Sequence, residues 1–336
     1  MRSRASSCRE SRAIADRPLT IAVTGPTGDI GRAFLRACDR SRTIGRVLGM
    51  ARRPFDPGAL GLRKTEYRQG DVLDGRAVDA LVADADVVVH LAFIIMGGLE
   101  ETRRVNLHGS RTVFEATAAS TRAQRLVYTS SVAAYGFHGD NPQPLTEDVP
   151  ARGSDAHYYS AQKAELEAAL FEAVAGSKLD TYVFRPCIVA GPDALAMLEA
   201  VPSPVRRSPL PVIPDPGTHF QLVHHDDVAA ALVAAARGAG PPGVYNLAGP
   251  GELTARDLAR ELGWRSFPIP RVTVDIAAAG AGLPLVPARA QWLNAFRVPV
   301  LMSFTKARKE LRWRPRHDAA TTLAATVKAA RERGVV

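Results

Sequence analysis

The feature that most constrains the fold is a glycine-rich turn between a short apolar strand and a helix. Residues 19–24 read LTIAVT, the turn carries Gly25, Gly28 and Gly31, and a helical pattern covers 30–38. A strand, a glycine turn and a helix in this order are the context of a dinucleotide phosphate site. Gly25 permits a tight turn, Gly28 lets backbone N–H groups approach a pyrophosphate, and Gly31 lets the helix pack closely. The turn therefore predicts a pyrophosphate at the helix N-terminus, with further contacts from Thr27, Asp29 and Ile30.

The same alternation of strand and helix continues through the N-terminal half of the chain. Alternating elements of this kind indicate βαβ units and a parallel sheet, and right-handed crossovers make the arrangement doubly wound. With 46% hydrophobic residues, the chain has enough apolar material for a sizeable core. We therefore predict an α/β Rossmann-type fold. Its further strands are expected at 47–50, 84–89, 125–129 and 181–184, and two long amphipathic helices at 100–119 and 161–175.

The periodicity changes after the strand that ends near residue 186. We predict a disordered leader at 1–17, an NAD(P)-binding Rossmann domain at 18–186 and a smaller, irregular substrate-binding lobe at 187–336. The lobe begins with a proline-rich stretch that breaks helix and strand patterns. Within it, residues 217–237 are expected to return to the Rossmann core.

Composition argues against several other classes of protein. The net charge is +9, but the arginines are scattered without interleaved aromatic residues, which argues against a nucleic-acid partner. Apolar runs stay below the ~18 residues that span a membrane. Cys8, Cys38 and Cys187 are far apart and odd in number, which argues against a disulfide framework and suits a reducing cytoplasm. His224 and His225 have no third ligand of suitable spacing, so no metal site is predicted.

The end of the second strand bears on the choice of dinucleotide. An acid there would bind the ribose 2′-hydroxyl of NAD, whereas arginine accommodates the 2′-phosphate of NADP. Arg52 and Arg53 follow Ala51, which favours NADP(H) over NAD(H); two solvated surface arginines are the alternative. Other strand ends are predicted to contact the cofactor through Asp71, Val72, Leu91, Ala92 and Thr129.

Tyr159 and Lys163 lie four residues apart in a predicted helix, so their side chains share one face. An ammonium beside a phenol favours the phenolate, so we expect Lys163 to lower the pKa of Tyr159. Tyr159 could then exchange a proton with a carbonyl oxygen, and Lys163 could hold the nicotinamide ribose. Ser131 ends the fifth strand, where parallel sheets bind ligands, and could orient the substrate oxygen.

In this order along the chain, these motifs resemble the extended short-chain dehydrogenase/reductase family, which includes NAD-dependent epimerases and dehydratases. The resemblance covers about 18–315. It implies a catalytic role for Asn106, a nicotinamide close to Pro186 and Ile188, and a homodimer through helices 100–119 and 161–175. The residues that carry it are the glycine turn, Asp71, Asn106, Ser131, Tyr159, Lys163, Arg185 and Pro186, followed by 224–228, 305–306 and 311–315.

The chain departs from some relatives at positions that matter for chemistry. The family's 4,6-dehydratases carry an Asp-Glu pair directly after the catalytic hydroxyl, where this chain has Val132 and Ala133. These side chains cannot do acid/base work, which argues against water elimination. Phe220 stands where the nucleotide-sugar epimerases carry an arginine clamp for the diphosphate, although His219, Arg206 or Arg207 could replace it. An apolar substrate pocket is therefore expected from Phe93, Ser131, Val132, Ala133, Cys187 and Phe220.

Three functions remain open from the sequence. The first is an NADPH-dependent reductase of a ketone or aldehyde, or the reverse alcohol oxidation. The second is an epimerase of a sugar or sugar nucleotide that returns the hydride to the other face of its substrate. The third is a non-catalytic protein that senses NADP(H), and the complete set of Tyr159, Lys163 and Ser131 argues against it.

Overall fold

The computed structural model describes residues 17–95, 97–201, 203–280 and 298–336. Its centre is a seven-stranded parallel sheet in the order β10-β6-β5-β4-β1-β2-β3. The predicted Rossmann-type α/β fold is therefore confirmed. The strands are β1 (Leu19–Thr24), β2 (Ile44–Ala51), β3 (Thr65–Gln69), β4 (Val87–His90), β5 (Arg125–Thr129), β6 (Asp180–Pro186), β7 (Ile188–Ala190), β8 (Val212–Asp215), β9 (Leu222–His224), β10 (Gly243–Leu247) and β11 (Arg265–Pro268).

Helices cover both faces of this sheet and build most of the C-terminal lobe. They are α1 (Asp29–Arg40), α2 (Gly75–Val82), α3 (Leu99–Arg103), α4 (Gly109–Ala119), α5 (Tyr158–Val174), α6 (Ala196–Glu199), α7 (Ser203–Arg206), α8 (His225–Ala236), α9 (Ala255–Leu262), α10 (Arg271–Gly280), α11 (Thr305–Glu310) and α12 (Ala319–Glu332). Short 3-10 turns lie at Gly58–Leu60 and Val132–Tyr135.

Two apolar layers hold the sheet between its helices. On one face, Phe34 and Leu35 of α1 share a buried cluster with Val228 and Leu232 of α8. On the other face, α4 and α5 bury side chains such as Phe114 in a second cluster. A third cluster joins α9 and α12 inside the lobe. The helix at 225–236 therefore packs on the Rossmann core, in agreement with the return expected for 217–237.

The predicted boundary at residue 186 leaves out one strand of the main sheet. β10 pairs in parallel with β6, from Gly243 opposite Tyr182 to Leu247 opposite Pro186. The predicted lobe at 187–336 includes 245–247. That assignment is wrong because the edge of β6 needs a hydrogen-bonding partner, and a chain segment from beyond α8 supplies it.

The helix predicted at 100–119 is not uniform. α3 and α4 are joined by a π-helical segment, Arg104–His108, that contains Asn106. Such π-bulges are rare and often mark functional sites. The second long helix, predicted at 161–175, begins earlier, at Tyr158, and therefore includes Tyr159 in its first turn.

Two other expectations concern the chain's N-terminus and membranes. The predicted leader at 1–17 lies outside the described residues except for Arg17, which forms an ion pair with buried Asp86. Among the residues that the structure describes, no helix is both long and apolar enough to cross a bilayer.

A buried ion pair fastens α5 to the sheet. Glu167 and Arg185 have side chains only 3% and 5% exposed, and their closest N···O distance is 2.6 Å. Glu167 also accepts a hydrogen bond from the Ser130 hydroxyl at 2.5 Å. The Arg185 guanidinium lies 4.4 Å from the ring centroid of Tyr135. Because both charges are desolvated, removal of one leaves the other uncompensated inside the core.

We therefore expect Glu167→Gln to lower the free energy of unfolding by about 3–5 kcal/mol. Equilibrium urea denaturation measures this change. Glu165→Gln is the matched control on the same helix, because the Glu165 side chain is 39% exposed and lies 3.7 Å from Arg103. Such a surface pair contributes about 0–1 kcal/mol. Equal losses in the two variants would contradict a structural role for the buried pair.

Candidate active site

The glycine turn forms a cradle at the carboxyl end of β1. Gly25 has a φ of 72°, and a Cβ there would lie 2.7 Å from the backbone nitrogen of Ala92. A Cβ on Gly31 would lie 2.3 Å from the Gly25 carbonyl oxygen. A Cβ on Gly28 would instead meet only that carbonyl, at 3.6 Å. Gly25 and Gly31 are thus required by packing, whereas Gly28 keeps the space over the turn open.

The N-terminus of α1 fits a pyrophosphate. Gly28 is its N-cap and provides no side-chain cap, so backbone N–H groups of the first turn are available to an anion. The turn also lies where strand order reverses, since β4 and β2 flank β1 on opposite sides. Ligands bind at such a switch point in open α/β sheets. The residues present therefore fit a dinucleotide, which Thr27, Asp29 and Ile30 would flank.

The residues predicted for the adenosine end follow β2 and β3. Arg52 and Arg53 are exposed directly after β2, and Arg52 lies 3.8 Å from the carboxylate of Glu101. Asp71 is half-buried and accepts a hydrogen bond from the backbone N–H of Leu73 at 3.1 Å. Val72 is buried in the apolar cluster under α4. Asp71 is therefore partly committed to its own turn, while both guanidinium groups face solvent.

Leu91 and Ala92 follow β4, and their backbone lies against Gly25. The preceding His90 is fully buried, with its Nδ1 2.7 Å from the Thr24 hydroxyl and its Nε2 2.8 Å from the Ser110 hydroxyl. Burial lowers the pKa of His90 to about 3, so it stays neutral. It fixes the floor of the cradle by linking β1 and β4 to α4.

The structure brings Ser131, Tyr159 and Lys163 together at the carboxyl ends of β5 and β6. The Ser131 side chain is hydrogen-bonded to the Tyr159 phenol. Lys163 donates to the Thr129 carbonyl oxygen at 2.9 Å and to the Tyr128 hydroxyl at 3.3 Å. The predicted catalytic set is therefore one cluster, and Thr129 contributes its backbone to it.

The expected lowering of the Tyr159 pKa is wrong for this arrangement. Burial raises the pKa of Tyr159 to about 12, and the hydrogen bond with Ser131 offsets this only in part. Burial also lowers the pKa of Lys163 to about 7, against an opposing effect of Glu167. The Lys163 ammonium lies 5.9 Å from the Tyr159 ring centroid and points toward Thr129 and Tyr128. Tyr159 is thus held as a neutral phenol, the form that donates a proton.

Phe93 packs against both members of the pair. Its ring lies 3.8 Å from the Lys163 ammonium and 5.4 Å from the Tyr159 ring in an edge-to-face contact. A cation over an aromatic face is attracted by the ring quadrupole. Phe93 therefore gives the catalytic cluster an apolar wall.

Asn106 has a positioning role in this structure. Its carboxamide Nδ2 donates to the Ile94 carbonyl oxygen at 2.9 Å and to Gln162 Oε1 at 2.8 Å. Its Oδ1 accepts from the Ile94 backbone N–H at 2.8 Å. The resemblance implied a catalytic role, but the side chain is fully buried and these bonds occupy it. It ties the loop that carries Phe93 to the helix that carries Lys163.

The other predicted substrate and nicotinamide residues lie on three segments. Val132 and buried Ala133 form the 3-10 turn that Ser131 caps through a hydrogen bond from the Ala133 N–H at 3.2 Å. Pro186 ends β6, and Cys187 is a buried thiol whose pKa is raised by burial. Ile188 is 38% exposed at the start of β7. Phe220 pairs with Leu253 through backbone hydrogen bonds and packs on the apolar cluster of the lobe.

Asp226 lies beside the histidine pair as a third potential donor, where the sequence predicts no ligand of suitable spacing. Donor atoms of His224, His225 and Asp226 lie within 4.8 Å of one another. One nitrogen of each ring is engaged by backbone: His224 Nδ1 accepts from the Asp226 N–H at 3.2 Å, and His225 Nε2 accepts from the Asp193 N–H at 3.4 Å. The other His225 nitrogen, Nδ1, lies 3.2 Å from the Asp226 carboxylate. His224 thus caps α8.

Sequence reasoning also missed Glu167, Gln162 and Tyr128, which support the candidate catalytic side chains. Glu167 could have been found, because it continues the spacing of Tyr159 and Lys163 by four more residues. Tyr128 and Gln162 carry no such signal, since their contacts depend on the pairing of strands and the π-bulge.

Comparison with known proteins agrees with this geometry. The model of the NAD dependent epimerase/dehydratase family matches residues 21–248. The ceramide reductase of Caulobacter vibrioides is 31% identical over 218 residues, which are 65% of this chain and 61% of that protein. The dTDP-glucose 4,6-dehydratase of Streptomyces antibioticus is 29% identical over a match that covers 92% of this chain and 91% of that protein.

Among solved structures, UDP-glucuronic acid 4-epimerase from Bacillus cereus in complex with NAD superposes with a TM-score of 0.72. That match has 18% identity and covers 94% of this chain and 99% of the other. The fold and the site together define a nicotinamide-dependent enzyme of the oxidoreductase and epimerase kind. The chain belongs to the NAD-dependent epimerase/dehydratase family.

Two glycine substitutions separate binding from folding. We expect Gly28→Ala to leave the melting temperature within about 2 °C, because its methyl group meets only the Gly25 carbonyl at 3.6 Å. It should nevertheless weaken dinucleotide binding at least tenfold, because the methyl group enters the space over the cradle. Gly31→Ala should instead lower the melting temperature by several degrees, because of its 2.3 Å clash. Fluorescence titration with NADPH and NADH measures the dinucleotide affinity, and calorimetry measures the melting temperature. Unchanged dinucleotide affinity in a folded Gly28→Ala protein would refute the assigned cradle.

Proposed function

We propose that this protein is an NADPH-dependent reductase of a ketone or aldehyde whose carbonyl lies among apolar groups, or that it runs the reverse alcohol oxidation. The observation that carries the proposal is the apolar lining of the catalytic cluster. Phe93 packs on Tyr159 and Lys163, and Val132 and Ala133 follow the catalytic hydroxyl. A carbonyl group in apolar surroundings suits such a wall better than a charged nucleotide sugar does.

The chain's own residues supply the proton and orient the oxygen. The Ser131 hydroxyl, hydrogen-bonded to the Tyr159 phenol, is placed to hold the substrate oxygen beside it. With a pKa of about 12, Tyr159 is protonated at neutral pH and can donate its proton to the developing alkoxide. A bound nicotinamide supplies or accepts the hydride.

Lys163 supports this transfer from behind the phenol. Its hydrogen bond to the Thr129 carbonyl fixes it to β5, and its pKa of about 7 lets it exchange a proton near neutrality. When protonated, it stabilises a Tyr159 phenolate formed after the transfer, since an opposite charge nearby favours the ionised form. Lys163 thus acts on the charge that develops during the reaction.

The similarity to a ceramide reductase supports reduction of a substrate with long apolar groups. The second candidate is an epimerase of a sugar or sugar nucleotide, favoured by the nearly full-length similarity to a dTDP-glucose 4,6-dehydratase.

We also propose a cytoplasmic homodimer that associates through α4 and α5. The compartment is supported by the free buried thiols of Cys38 and Cys187. The dimer is supported by Phe171 of α5, an apolar side chain that is 44% exposed.

The test of the proposed reaction is turnover with a defined substrate panel. Purified protein is given NADPH with long-chain ketones, short aldehydes and nucleotide sugars, and the cofactor is followed at 340 nm. We expect one NADPH oxidised per alcohol formed from an apolar carbonyl compound. Tyr159→Phe should lower kcat/KM by about 10²–10⁴, because general acid catalysis contributes that much.

The matched control is Tyr158→Phe, since Tyr158 is the neighbouring phenol and its hydroxyl donates to the Ile95 carbonyl at 2.5 Å. It should change kcat/KM less than threefold. Isomerised nucleotide sugar with no net loss of NADPH would identify the epimerase instead. Retained turnover in Tyr159→Phe would refute the assigned proton donor.

The proposed preference for NADP(H) depends on the two arginines after β2. Arg52→Gln/Arg53→Gln should raise KM for NADPH about 10–100-fold, because charge-assisted hydrogen bonds contribute about 1.5–3 kcal/mol. KM for NADH should change less than threefold, because NADH lacks the 2′-phosphate. Steady-state kinetics with both cofactors measures the ratio. The control is Arg63→Gln, an exposed arginine near Asp39. Equal effects on both cofactors would show that the arginines do not read the 2′-phosphate.

A further inference from the structure

A basic cavity lies at the amino-terminal ends of the sheet strands, on the side opposite the active site. It has a volume of about 450 Å³ and is lined by Arg40, Arg42 and Arg237 together with Ala37, Ser41, Thr43 and Val233. We call it the arginine cavity. It is formed where α1 and α8 end, just before the chain enters β2 and approaches β10. Its volume is within the ~300–1,000 Å³ range of small-molecule sites.

The charges in the arginine cavity are uncompensated. Arg40, Arg42 and Arg237 are all exposed, and no carboxylate of the described residues lies within ion-pair distance of their guanidinium groups. The neighbouring acid, Asp39, is engaged elsewhere, because its Oδ1 accepts the backbone N–H groups of Arg63 and Lys64. Three like charges around one cavity attract an anion.

The carbonyl groups at the C-terminus of helix α1, which carry partial negative charge, are also neutralised by a neighbouring cation. The Lys64 ammonium donates to the Ser41 carbonyl at 2.5 Å and to the Cys38 carbonyl at 3.4 Å. Carbonyl groups at a helix C-terminus would otherwise repel an anion. The Ser41 and Thr43 hydroxyls lie 3.0 Å apart at the wall and add neutral donors. The cavity therefore presents cations and hydroxyl groups, while a further cation neutralises the carbonyls behind it.

We propose that the arginine cavity binds a small molecule carrying two or more phosphate groups. Guanidinium groups bind phosphate through paired hydrogen bonds, and three of them match several phosphate charges. The site is separate from the dinucleotide cradle. The two lie at opposite ends of the 12-residue helix α1, about 18 Å apart along its axis. A phosphate on a bilayer surface fits less well, because the active site at the carboxyl ends of the strands would then face away from the membrane.

Calorimetric titration with inorganic triphosphate tests the proposal. Saturating NADPH is included because the N-terminus of α1 also attracts phosphates. We expect binding that weakens at least tenfold in Arg42→Gln/Arg237→Gln. The control, Arg260→Gln/Arg265→Gln, removes the same charge from exposed arginines of the lobe and should bind triphosphate as the native protein does. NADPH affinity should be the same in all three proteins.

Other outcomes separate the sources of phosphate and the competing explanations. Co-sedimentation with phosphatidylglycerol vesicles, lost in the Arg42/Arg237 variant and absent with phosphatidylcholine, would show that the cavity takes a lipid headgroup and would overturn the soluble ligand. Equal losses in both double variants would show attraction to net charge alone and overturn the site. Absence of triphosphate binding at millimolar concentration would also overturn it. These measurements do not depend on turnover, so they stand apart from the test of the reductase.

Discussion

The attachment of helix α5 to the sheet is the constraint on which the rest of the site depends. Tyr159, Lys163 and Glu167 follow one another at intervals of four residues. Their side chains face the carboxyl ends of β5 and β6, where each contacts a different residue. Glu167 pairs with Arg185 of β6 at 2.6 Å, and Lys163 donates to the Thr129 carbonyl of β5 at 2.9 Å. These two contacts fix the rotation of the helix about its axis. Tyr159 must then face Ser131, because i and i+4 side chains share one face.

A low-dielectric environment sets the protonation states of the Tyr159 and Lys163 side chains. Burial raises the pKa of Tyr159 and lowers that of Lys163, so both neutral forms are favoured. Phe93 contributes to this environment, and Asn106 holds its loop in place through Ile94. In the proposed reaction, the cluster therefore donates a proton and gains stabilising charge only as the reaction proceeds. Such electrostatic preorganisation is a main source of enzymatic rate acceleration.

Much of this arrangement is readable from the sequence, and the misses share one physical cause. The glycine turn, Ser131 and the Tyr159–Lys163 pair depend on local spacing, so a sequence pattern is sufficient to place them. The π-bulge around Asn106, the pKa of Tyr159 and the pairing of β10 depend on tertiary packing. Hydrophobic periodicity does not report which distant segment covers a sheet edge, nor how much water a buried phenol loses. Glu167 lies between these cases, because its spacing was visible but its partner Arg185 was not.

The position of β10 has a consequence for how the chain folds during synthesis. The segment from β1 to β6 is complete when residue 186 has been made, but the edge strand that covers β6 begins only at Gly243. Helix α8, which packs against α1, also comes from beyond β6. A nascent chain that ends before β10 therefore exposes an unpaired apolar strand edge, a template for intermolecular pairing. More than fifty residues must leave the ribosome before that edge is covered, so the interval between β6 and β10 is the period in which aggregation competes with folding.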